Sequence, residues 1–339
     1  MSVPAVTVLI DTYNYAEYIE EAIASVVSQD FPAMEREILV IDDGSTDDTE
    51  QRVRKFGNAI QYFRKPNGGQ ASALNFGLAH ARGEIVALLD ADDYWLPGKL
   101  RRVMEEFDRQ PEVGMVYHKL RQWDASRSRH KDGGLALLSG SIPSRRKDLL
   151  SYVLYPTSFL AFRRKTLEPL LPIPYELTTQ ADAHLSGLII FLAPIASIPE
   201  CLAVYRIHGK NLFAYGSDAS RQQYEARMKT REILVSGMRS WLMRRGYDLS
   251  RGDLRILFKQ WKLKQDSEAF NVRPPGRLKT FGYLLDYARY YGPQLTWRHR
   301  VVTYLNAVGS LFVGYKNIHR LDEWRVAVKR GFRVLSRQW

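Results

Sequence analysis

Three carboxylates lie in one short turn directly after a run of apolar residues. Residues 85–89 (IVALL) are apolar and bounded by charge, which is typical of a strand buried on both faces, and Asp90, Asp92 and Asp93 follow. Like charges at such a place repel one another and lose hydration, so a cation or a hydrogen-bonding ligand would stabilise them. Oxygen ligands suit Mg²⁺ or Mn²⁺, which are commonly shared with substrate phosphates. A solvated acidic turn that caps the next helix is the alternative.

Strand and helix patterns alternate around this turn. Strand patterns occupy residues 5–10, 38–41, 60–63, 85–89 and 113–117, and helix patterns occupy residues 16–29, 71–81 and 97–110. The alternation predicts an α/β fold with a doubly wound, mostly parallel sheet, in which ligands bind beyond the carboxyl ends of the strands. Three successive strand ends carry Asp11-Thr12-Tyr13, Asp42-Asp43 and Asp90–Asp93. We therefore expect these residues to converge at one edge of the sheet.

The composition limits the class of protein. With 339 residues, 45% of them hydrophobic, the chain can bury one large core and carry an appendage. The single cysteine, Cys201, excludes a disulfide framework and a cysteine-rich zinc site, so a reducing cytoplasm is expected. We expect neither a signal peptide nor a membrane-spanning segment. Without a G-x-G-x-x-G motif or a Walker loop, dinucleotide and P-loop sites lack their signature.

The charge is unevenly distributed along the chain. The net charge is +12, but residues 1–110 carry 19 acidic and 11 basic residues, whereas residues 221–339 carry 25 basic and 9 acidic ones. The basic part is expected to face something anionic. Apolar residues recur there at helical spacing, which predicts helices that pack on the rest of the protein. They are Leu234, Met238 and Trp241, and again Val301, Leu305, Val308, Phe312 and Tyr315.

Four motifs follow one another between residues 4 and 212. They are TVLIDTYNYAEYIEEAIASVVSQ, EILVIDDGSTDDT, PNGGQASALNFGLAHARGEIVALLDADDYWLPGKL and IPECLAVYRIHGKN. The first three resemble the nucleotide-binding half of the family 2 glycosyltransferases of the GT-A fold, and the last resembles the Tyr-Arg-x-His-Gly motif that closes their site. The resemblance implies a GT-A domain at 1–217, divided into a nucleotide-sugar-binding half (1–117) and an acceptor half (118–217). A basic, mainly α-helical region would follow at 218–339.

The resemblance also implies a metal-dependent, inverting transfer from a nucleotide-sugar to a hydroxyl acceptor. Asp92 would bind Mn²⁺ or Mg²⁺, His208 would complete the metal or diphosphate site, and Asp93 would support them. The residues implied around the donor are Thr12, Tyr13, Asp42, Asp43, Asn67, Gln70, Asp90, Ala91 and Arg206. A carboxylate at Asp42 or Asp43 can accept the imide N–H of uracil or thymine, so a UDP- or dTDP-sugar is expected.

Several of these residues have a plain structural alternative. Tyr13 could be a packed aromatic of the turn, and Asn67 and Gln70 could serve as turn and cap residues. A lone histidine such as His208 is commonly structural. Arg206 could contact the diphosphate or make a structural contact, and the sequence favours neither. The sequence leaves these alternatives open.

Asp182 matches the second acid of the pair that the family places at a helix start. That acid is expected to take the proton from the acceptor hydroxyl. Ala181 stands where the first acid is expected, and His184 is a possible substitute or helper. Asp182 could instead be an ordinary acid at a helix N-terminus, and the protein a catalytically impaired nucleotide-binding or scaffold protein. Nucleotidyl transfer is disfavoured, because DTYNYAEY stands where a glycine- and arginine-rich loop is needed.

The C-terminal residues suggest a partner for the basic region. Apolar residues at Leu321, Trp324, Val328, Phe332 and Leu335 lie opposite Arg325, Lys329, Arg330, Arg333 and Arg337. Such a helix can lie on an anionic membrane surface or pack with its basic face in solvent. The expected acceptor is a glycan or a lipid-linked glycan, and the expected place is the cytoplasm, peripheral to the inner face of the plasma membrane. No nucleic acid partner is expected, because no binding motif accompanies the charge.

Overall fold

The computed structural model describes residues 4–124, 128–132, 137–141, 155–208, 211, 221–290 and 301–312. The chain divides into two compact units. The first comprises Met1–Ser144, Leu149–Asp218 and Glu232–Gly246, and the second comprises Arg145–Asp148, Ala219–Arg231 and Tyr247–Trp339.

One sheet carries the first unit. Its strands within the described residues are β1 (Val6–Thr12), β2 (Arg36–Asp42), β3 (Gln61–Arg64), β4 (Ile85–Asp90), β5 (Tyr94–Trp95), β6 (Met115–Asp124), β7 (Arg129–Asp132), β8 (Leu160–Arg163) and β9 (Ile195–Ile207). The strand order is β3-β2-β1-β4-β8-β6-β9-β5, and β7 pairs with β6. The long ladders β1–β2, β1–β4 and β6–β9 are parallel, whereas β8 and β5 add short antiparallel ones. The prediction of a mostly parallel α/β sheet is confirmed.

The helices follow the predicted alternation. They are α1 (Ala16–Val27), α2 (Thr49–Arg54), α3 (Gln70–His80), α4 (Lys99–Arg109), α5 (Arg164–Leu167), α6 (Ala181–Ile189), α7 (Arg221–Arg244), α8 (Gly252–Val272) and α9 (Arg277–Tyr290), and residues 301–312 are also helical. The expectation that α4 begins at Pro97 is wrong by two residues. Gly98 has a left-handed backbone (φ 82°), so helical geometry begins only at Lys99.

Helices cover both faces of the sheet. Residues of β1 and β4 such as Val8 and Ala87 are fully buried in a core that includes residues of α1 and α4. On the other face α3 lies so close that a Cβ at Gly77 would collide with the side chain of Leu9. Burial on both faces explains why β4 is a continuous apolar run, and it leaves the strand ends as the place where polar groups can lie.

The apolar residues that the sequence predicts to pack are buried in α7, whereas those in the helix at 301–312 are not. Leu234, Met238 and Trp241 of α7 are buried, and the indole N–H of Trp241 donates to Pro169 O at 3.0 Å. The apolar face of 301–312 is solvent-exposed instead, because this helix buries its small and polar residues. The exposed residues are Val301, Tyr304, Leu305, Val308 and Phe312, and the buried ones are Asn306, Ala307 and Ser310.

Two expectations about the C-terminal part concern membranes. Among the helices in the described ranges, none has the length and apolar character that crossing a membrane requires. Tyr315 and the amphipathic stripe from Leu321 to Leu335 lie outside the described residues.

Candidate active site

The carboxyl ends of three neighbouring strands lie level with one another. The parallel register pairs Asp11 of β1 with Asp90 of β4, and Thr12 of β1 with Asp42 of β2. The backbone continues this contact, since the N–H of Ala91 donates to Asp11 O at 3.2 Å. The three strand ends therefore meet at one edge of the sheet, as the sequence predicts.

A pocket of about 550 Å³ opens at this edge. Nine of the candidate residues line it: Thr12, Tyr13, Asp43, Asn67, Gln70, Asp90, Ala91, Asp92 and Asp182. Asp42, Arg206 and His208 are not among the lining residues, although His208 contacts a residue that is. The fold thus gathers residues from 12 to 182 around one cavity.

Negative charge dominates the pocket. Asp11, Asp43, Asp90, Asp92 and Asp182 line it, and its described lining includes no lysine, arginine or histidine. Burial, followed by repulsion from neighbouring carboxylates, raises the pKa of Asp11 to about 7 and that of Asp90 well above its usual value. Groups that resist ionisation in this way would be stabilised by a cation.

A second set of side chains closes over the acidic turn. The imidazole Nε2 of His208 lies 3.0 Å from Asp92 Oδ2, and Asn211 Nδ2 lies 3.4 Å from the same oxygen. The ring of Tyr18 stacks on His208 with 4.8 Å between ring centroids. Asn211 is fixed in turn, because its Nδ2 donates to Arg206 O at 2.8 Å. The end of β9 and the residues that follow it therefore position the imidazole against Asp92.

The carboxylates at the end of β4 and in the turn after it differ in whether they face the pocket. Oxygens of Asp90, Asp92 and Asp93 lie within 4.8 Å of one another. Asp93 is buried and uses both of its oxygens, since the Ser158 hydroxyl donates to Oδ2 at 2.5 Å and the Arg206 N–H donates to Oδ1 at 2.8 Å. Asp90 and Asp92 face the pocket. These two carboxylates and the nearby imidazole of His208 fit a Mn²⁺ or Mg²⁺ ion, with Asp93 in a supporting place.

The structure gives different surroundings to Asp42, which ends β2, and to Asp43, which follows it. Asp42 is buried and both of its oxygens accept hydrogen bonds, Oδ1 from the Ser45 N–H of the turn at 2.7 Å and Oδ2 from the Tyr62 hydroxyl of β3 at 2.6 Å. Asp43 lines the pocket, where it accepts from the Gly69 N–H at 2.7 Å and pairs with Lys65 at 2.5 Å. Of the two, Asp43 is therefore the one that faces the pocket.

Arg206 lies outside the pocket. Its guanidinium pairs with Glu21 at 2.7 Å and lies over the rings of Tyr18 and Tyr94, 4.8 and 5.2 Å from their centroids. Its backbone N–H also holds Asp93. These contacts favour the structural alternative for Arg206.

Asp182 lies in the first turn of α6 and lines the pocket. Its Oδ1 accepts from the Ala183 N–H at 2.8 Å, and its Oδ2 accepts from the Thr157 hydroxyl at 3.2 Å. Burial, only partly offset by these hydrogen bonds, raises the pKa of Asp182 to about 6. Such a group can accept a proton near neutral pH. His184 is buried outside the lining of the pocket, and burial lowers its pKa to about 4.

The structure adds residues that the sequence did not single out for this site. They include Asn14, Tyr15, Tyr155, Thr157, Thr178, Tyr205 and Asn211. Asp11 is expected at this edge of the sheet, and Asn211 is the last residue of the motif that contains the histidine, although the sequence predicts no role for Asn211. Thr157 carries no local signal, because it enters the pocket through a segment remote in sequence.

Comparison with known proteins gives related sequences. The family model described as glycosyl transferase family 2 matches residues 7–171. A Nostoc protein named an uncharacterized glycosyltransferase is 35% identical over 280 residues, which is 78% of this chain and 84% of that protein. Hyaluronan synthase of Pasteurella multocida is 31% identical over 163 residues, which is 47% of this chain but only 16% of that synthase.

Solved structures share the fold. Staphylococcus aureus TarS (residues 1–349) in complex with UDP superposes with a TM-score of 0.60 at 19% identity, covering 95% of this chain and 91% of that one. The mannosyltransferase PcManGT of Pyrobaculum calidifontis in complex with GDP-Man and Mn²⁺ gives a TM-score of 0.52 at 21% identity, covering 93% and 89%. The predicted GT-A-like α/β fold with a helical C-terminal region is confirmed.

Proposed function

The chain belongs to glycosyl transferase family 2, and on that premise we propose that it transfers a hexosyl group from a nucleoside-diphosphate sugar to a hydroxyl acceptor, with inversion at the anomeric carbon. One observation carries the proposal. A buried carboxylate with a raised pKa, Asp182, shares a pocket with Asp90 and with Asp92, whose Oδ2 lies 3.0 Å from His208 Nε2. A proton acceptor and a cation site in one cavity are what such a transfer requires.

The donor half corresponds to residues 1–117. Thr12, Tyr13, Asn67 and Asp43 line the side of the pocket where we place the base. We favour a UDP- or dTDP-sugar, since a carboxylate accepts an imide N–H. TarS has been crystallised with UDP and with UDP-GlcNAc, which supports a uridine nucleotide.

Asp92 and His208, with Asp90, would hold Mn²⁺ or Mg²⁺ against the diphosphate. When bound, the ion supplies positive charge that stabilises the departing nucleoside diphosphate. The absence of basic side chains from the described pocket lining supports a metal requirement, because this lining offers the diphosphate no positive charge of its own.

Asp182 acts as the base. The acceptor oxygen forms a bond to the anomeric carbon as the bond from that carbon to the diphosphate oxygen breaks, and Asp182 accepts the hydroxyl proton. Each of its oxygens already accepts one hydrogen bond, which holds the carboxylate in place for this task.

The acceptor we propose is a glycan or a lipid-linked glycan, in polysaccharide or glycolipid synthesis, held by residues 118–217. The similarity to hyaluronan synthase supports a glycan acceptor. We place the protein in the cytoplasm, peripheral to the inner face of the plasma membrane and attached through the helical region at 218–339. The exposed apolar face of 301–312 and the excess of basic residues support attachment to an anionic membrane surface.

The test is a thermal-shift and turnover screen of UDP-, dTDP- and GDP-sugars with and without Mn²⁺. We expect one nucleotide to raise the Tm only when Mn²⁺ is present, and its sugar conjugate to be hydrolysed or transferred. Stabilisation without any turnover across glycan acceptors would favour the non-catalytic alternative that Ala181 leaves open.

A further inference from the structure

We propose that Gln70 and Thr157 are positioning residues, which hold Asp182 at a fixed place relative to the donor site. This inference rests on the proposed function, since it assigns Asp182 the role of base. Gln70 was expected among the donor-binding residues, and its contacts give it a different task.

The Gln70 side chain joins two halves of the pocket. Its Oε1 accepts from the Ala181 N–H at 3.0 Å, at the first residue of α6. Its Nε2 lies 3.4 Å from Asp90 Oδ1 and donates to Thr157 Oγ1 at 3.2 Å. One amide therefore touches the acid that ends β4, the start of α6 and the hydroxyl that holds Asp182.

Thr157 completes a directional chain of hydrogen bonds. Its hydroxyl has one proton, which it donates to Asp182 Oδ2, and its oxygen accepts from Gln70. Both steps measure 3.2 Å, and Thr157 is buried. Because the acceptor at the end of the chain is a carboxylate, the chain favours the charged form of Asp182 and fixes its orientation.

The backbone reinforces the same link. The first N–H groups of α3 donate to the segment that leads into α6, with Gln70 N to Thr178 O at 3.0 Å and Ala71 N to Leu177 O at 3.2 Å. One turn later the Asn75 amide donates to Ile173 O and accepts from its N–H, both at 2.8 Å. Helix α3 thus holds the segment from 173 to 181 at successive points.

This arrangement matters because the surroundings of Asp182 contain no compensating cation in the described pocket lining. The titratable groups that face it are Asp11 of β1, Asp90 of β4 and Tyr205 of β9. Hydrogen bonds from Thr157 and the backbone are what stabilise its charge. A displacement of about 1 Å in such a group can lower the rate on the order of 100-fold.

The test uses hydrolysis of the sugar donor selected in the screen, with water as acceptor, saturating Mn²⁺ and a pH range from 5 to 8. For Thr157→Val we expect the acid limb of the kcat profile to move upward by about one pH unit, because the charged form loses a hydrogen bond. Thr157→Ser keeps the hydroxyl and should keep the wild-type profile. For Gln70→Ala we expect kcat to fall about tenfold or more, with the donor KM within about threefold of wild type.

Matched controls separate positioning from loss of stability. Thr7 is also buried and donates to a carboxylate, Glu37 Oε1 at 2.5 Å, outside the pocket. Gln29 is a buried glutamine whose amide bridges Leu96 O at 3.0 Å and the Leu100 N–H at 3.2 Å. Thr7→Val and Gln29→Ala should lower the Tm and leave the acid limb unmoved.

The outcomes distinguish this inference from the proposed function. If Asp182→Asn hydrolyses the donor at the wild-type rate, the assignment of the base fails. If Asp182→Asn is inactive while Thr157→Val keeps the acid limb of the wild-type kcat–pH profile, the positioning role of Thr157 fails and the assignment of the base stands. The inference is also overturned if the acid limb moves as far in Thr157→Ser as in Thr157→Val. It is overturned as well if Gln70→Ala changes only the donor KM and not kcat.

Discussion

The imidazole of His208 lies 3.0 Å from the carboxylate of Asp92, although 116 positions separate these residues in the chain. Both side chains are nearly buried, with 6% and 10% of their surface exposed. One comes from the turn after β4 and the other from the residue after β9. Strand β9 therefore brings His208 against the acidic turn, and the two groups are near enough to bind one divalent ion.

The first prediction follows from this pair. His208→Ala should raise the Mn²⁺ concentration needed for half-maximal donor turnover by at least about tenfold, because one ligand is lost. Asp92→Asn should lower kcat about 100-fold or more. A Mn²⁺ titration of turnover measures both. His130→Ala, an exposed histidine of β7, is the control and should titrate as wild type. An unchanged Mn²⁺ dependence in His208→Ala would remove this residue from the metal site.

The second prediction concerns the pH dependence of the wild-type enzyme. Asp182 accepts a proton only as a carboxylate, and burial raises its pKa to about 6. The rate should therefore be full above that pH and fall about tenfold per unit below it. Asp182→Asn should lower kcat by about 100- to 10,000-fold.

The control for Asp182 is Asp108→Asn, an exposed aspartate of α4. It should keep both the rate and the acid limb. An acid limb that persists in a residual activity of Asp182→Asn would assign the titration to a different group.

The third prediction concerns the turn that Asp43 organises. Gly69 has φ 82°, and an added Cβ would lie 2.5 Å from Thr178 Cα. Gly69→Ala should destabilise the protein by about 1–3 kcal/mol, because neither strain nor a backbone collision can be relieved by a rotamer change. Urea unfolding measures the change. Gly237 of α7 is the control, because an added Cβ there would lie 3.6 Å from Pro174 Cγ, an ordinary contact distance. Gly237→Ala should be neutral or stabilising by up to about 1 kcal/mol. If Gly69→Ala and Gly237→Ala change the free energy of unfolding equally, the close approach of the Thr178 backbone to Gly69 is contradicted.

The fourth prediction is a link between pH and stability at Glu37. This buried carboxylate accepts from the Thr7 hydroxyl and pairs with Arg82 at 2.8 Å, and these contacts outweigh burial and lower its pKa. Stability from a lowered pKa is present above the unfolded value of 4.5 and is lost as the pH falls through the folded value. Glu37→Gln should destabilise the protein by about 1–3 kcal/mol at pH 7 and by less below pH 4.

Denaturant unfolding at the two pH values measures this difference. The exposed neighbour Glu35 offers the control, since Glu35→Gln should change stability little at either pH. A Glu37→Gln penalty that is the same at both pH values would show that the charge of Glu37 does not contribute.

The fifth prediction concerns the exposed apolar face of 301–312. The protein should sediment with vesicles that contain an anionic lipid, and Leu305→Asp with Phe312→Asp should lower the bound fraction at least about tenfold, because two apolar contacts are lost. Binding should also weaken with salt. Met34→Asp, at a side chain that is 84% exposed in the first unit, is the control. Equal recovery of wild-type protein in the supernatant with and without vesicles would contradict membrane attachment.

Much of the fold could be predicted from local pattern. The apolar runs of β1, β2 and β4 are strands because both of their faces are buried, and the acids that follow them must then lie at the edge of the sheet. Asp90 and Asp92 could be assigned together because they belong to one turn. Patterns of this kind span a few residues and need no knowledge of what packs on them.

The sequence by itself determined the α/β alternation, the acidic strand ends and the basic helical region, since periodicity and composition are local properties. Tertiary structure decided that Asp43 rather than Asp42 faces the pocket, that Arg206 pairs with Glu21, and that Thr157 holds Asp182. It also decided that 301–312 buries its small residues and exposes its large ones. The physical reason is that these choices depend on which hydrogen bonds and packing contacts remote segments offer one another, and the spacing of residues along the chain does not encode them.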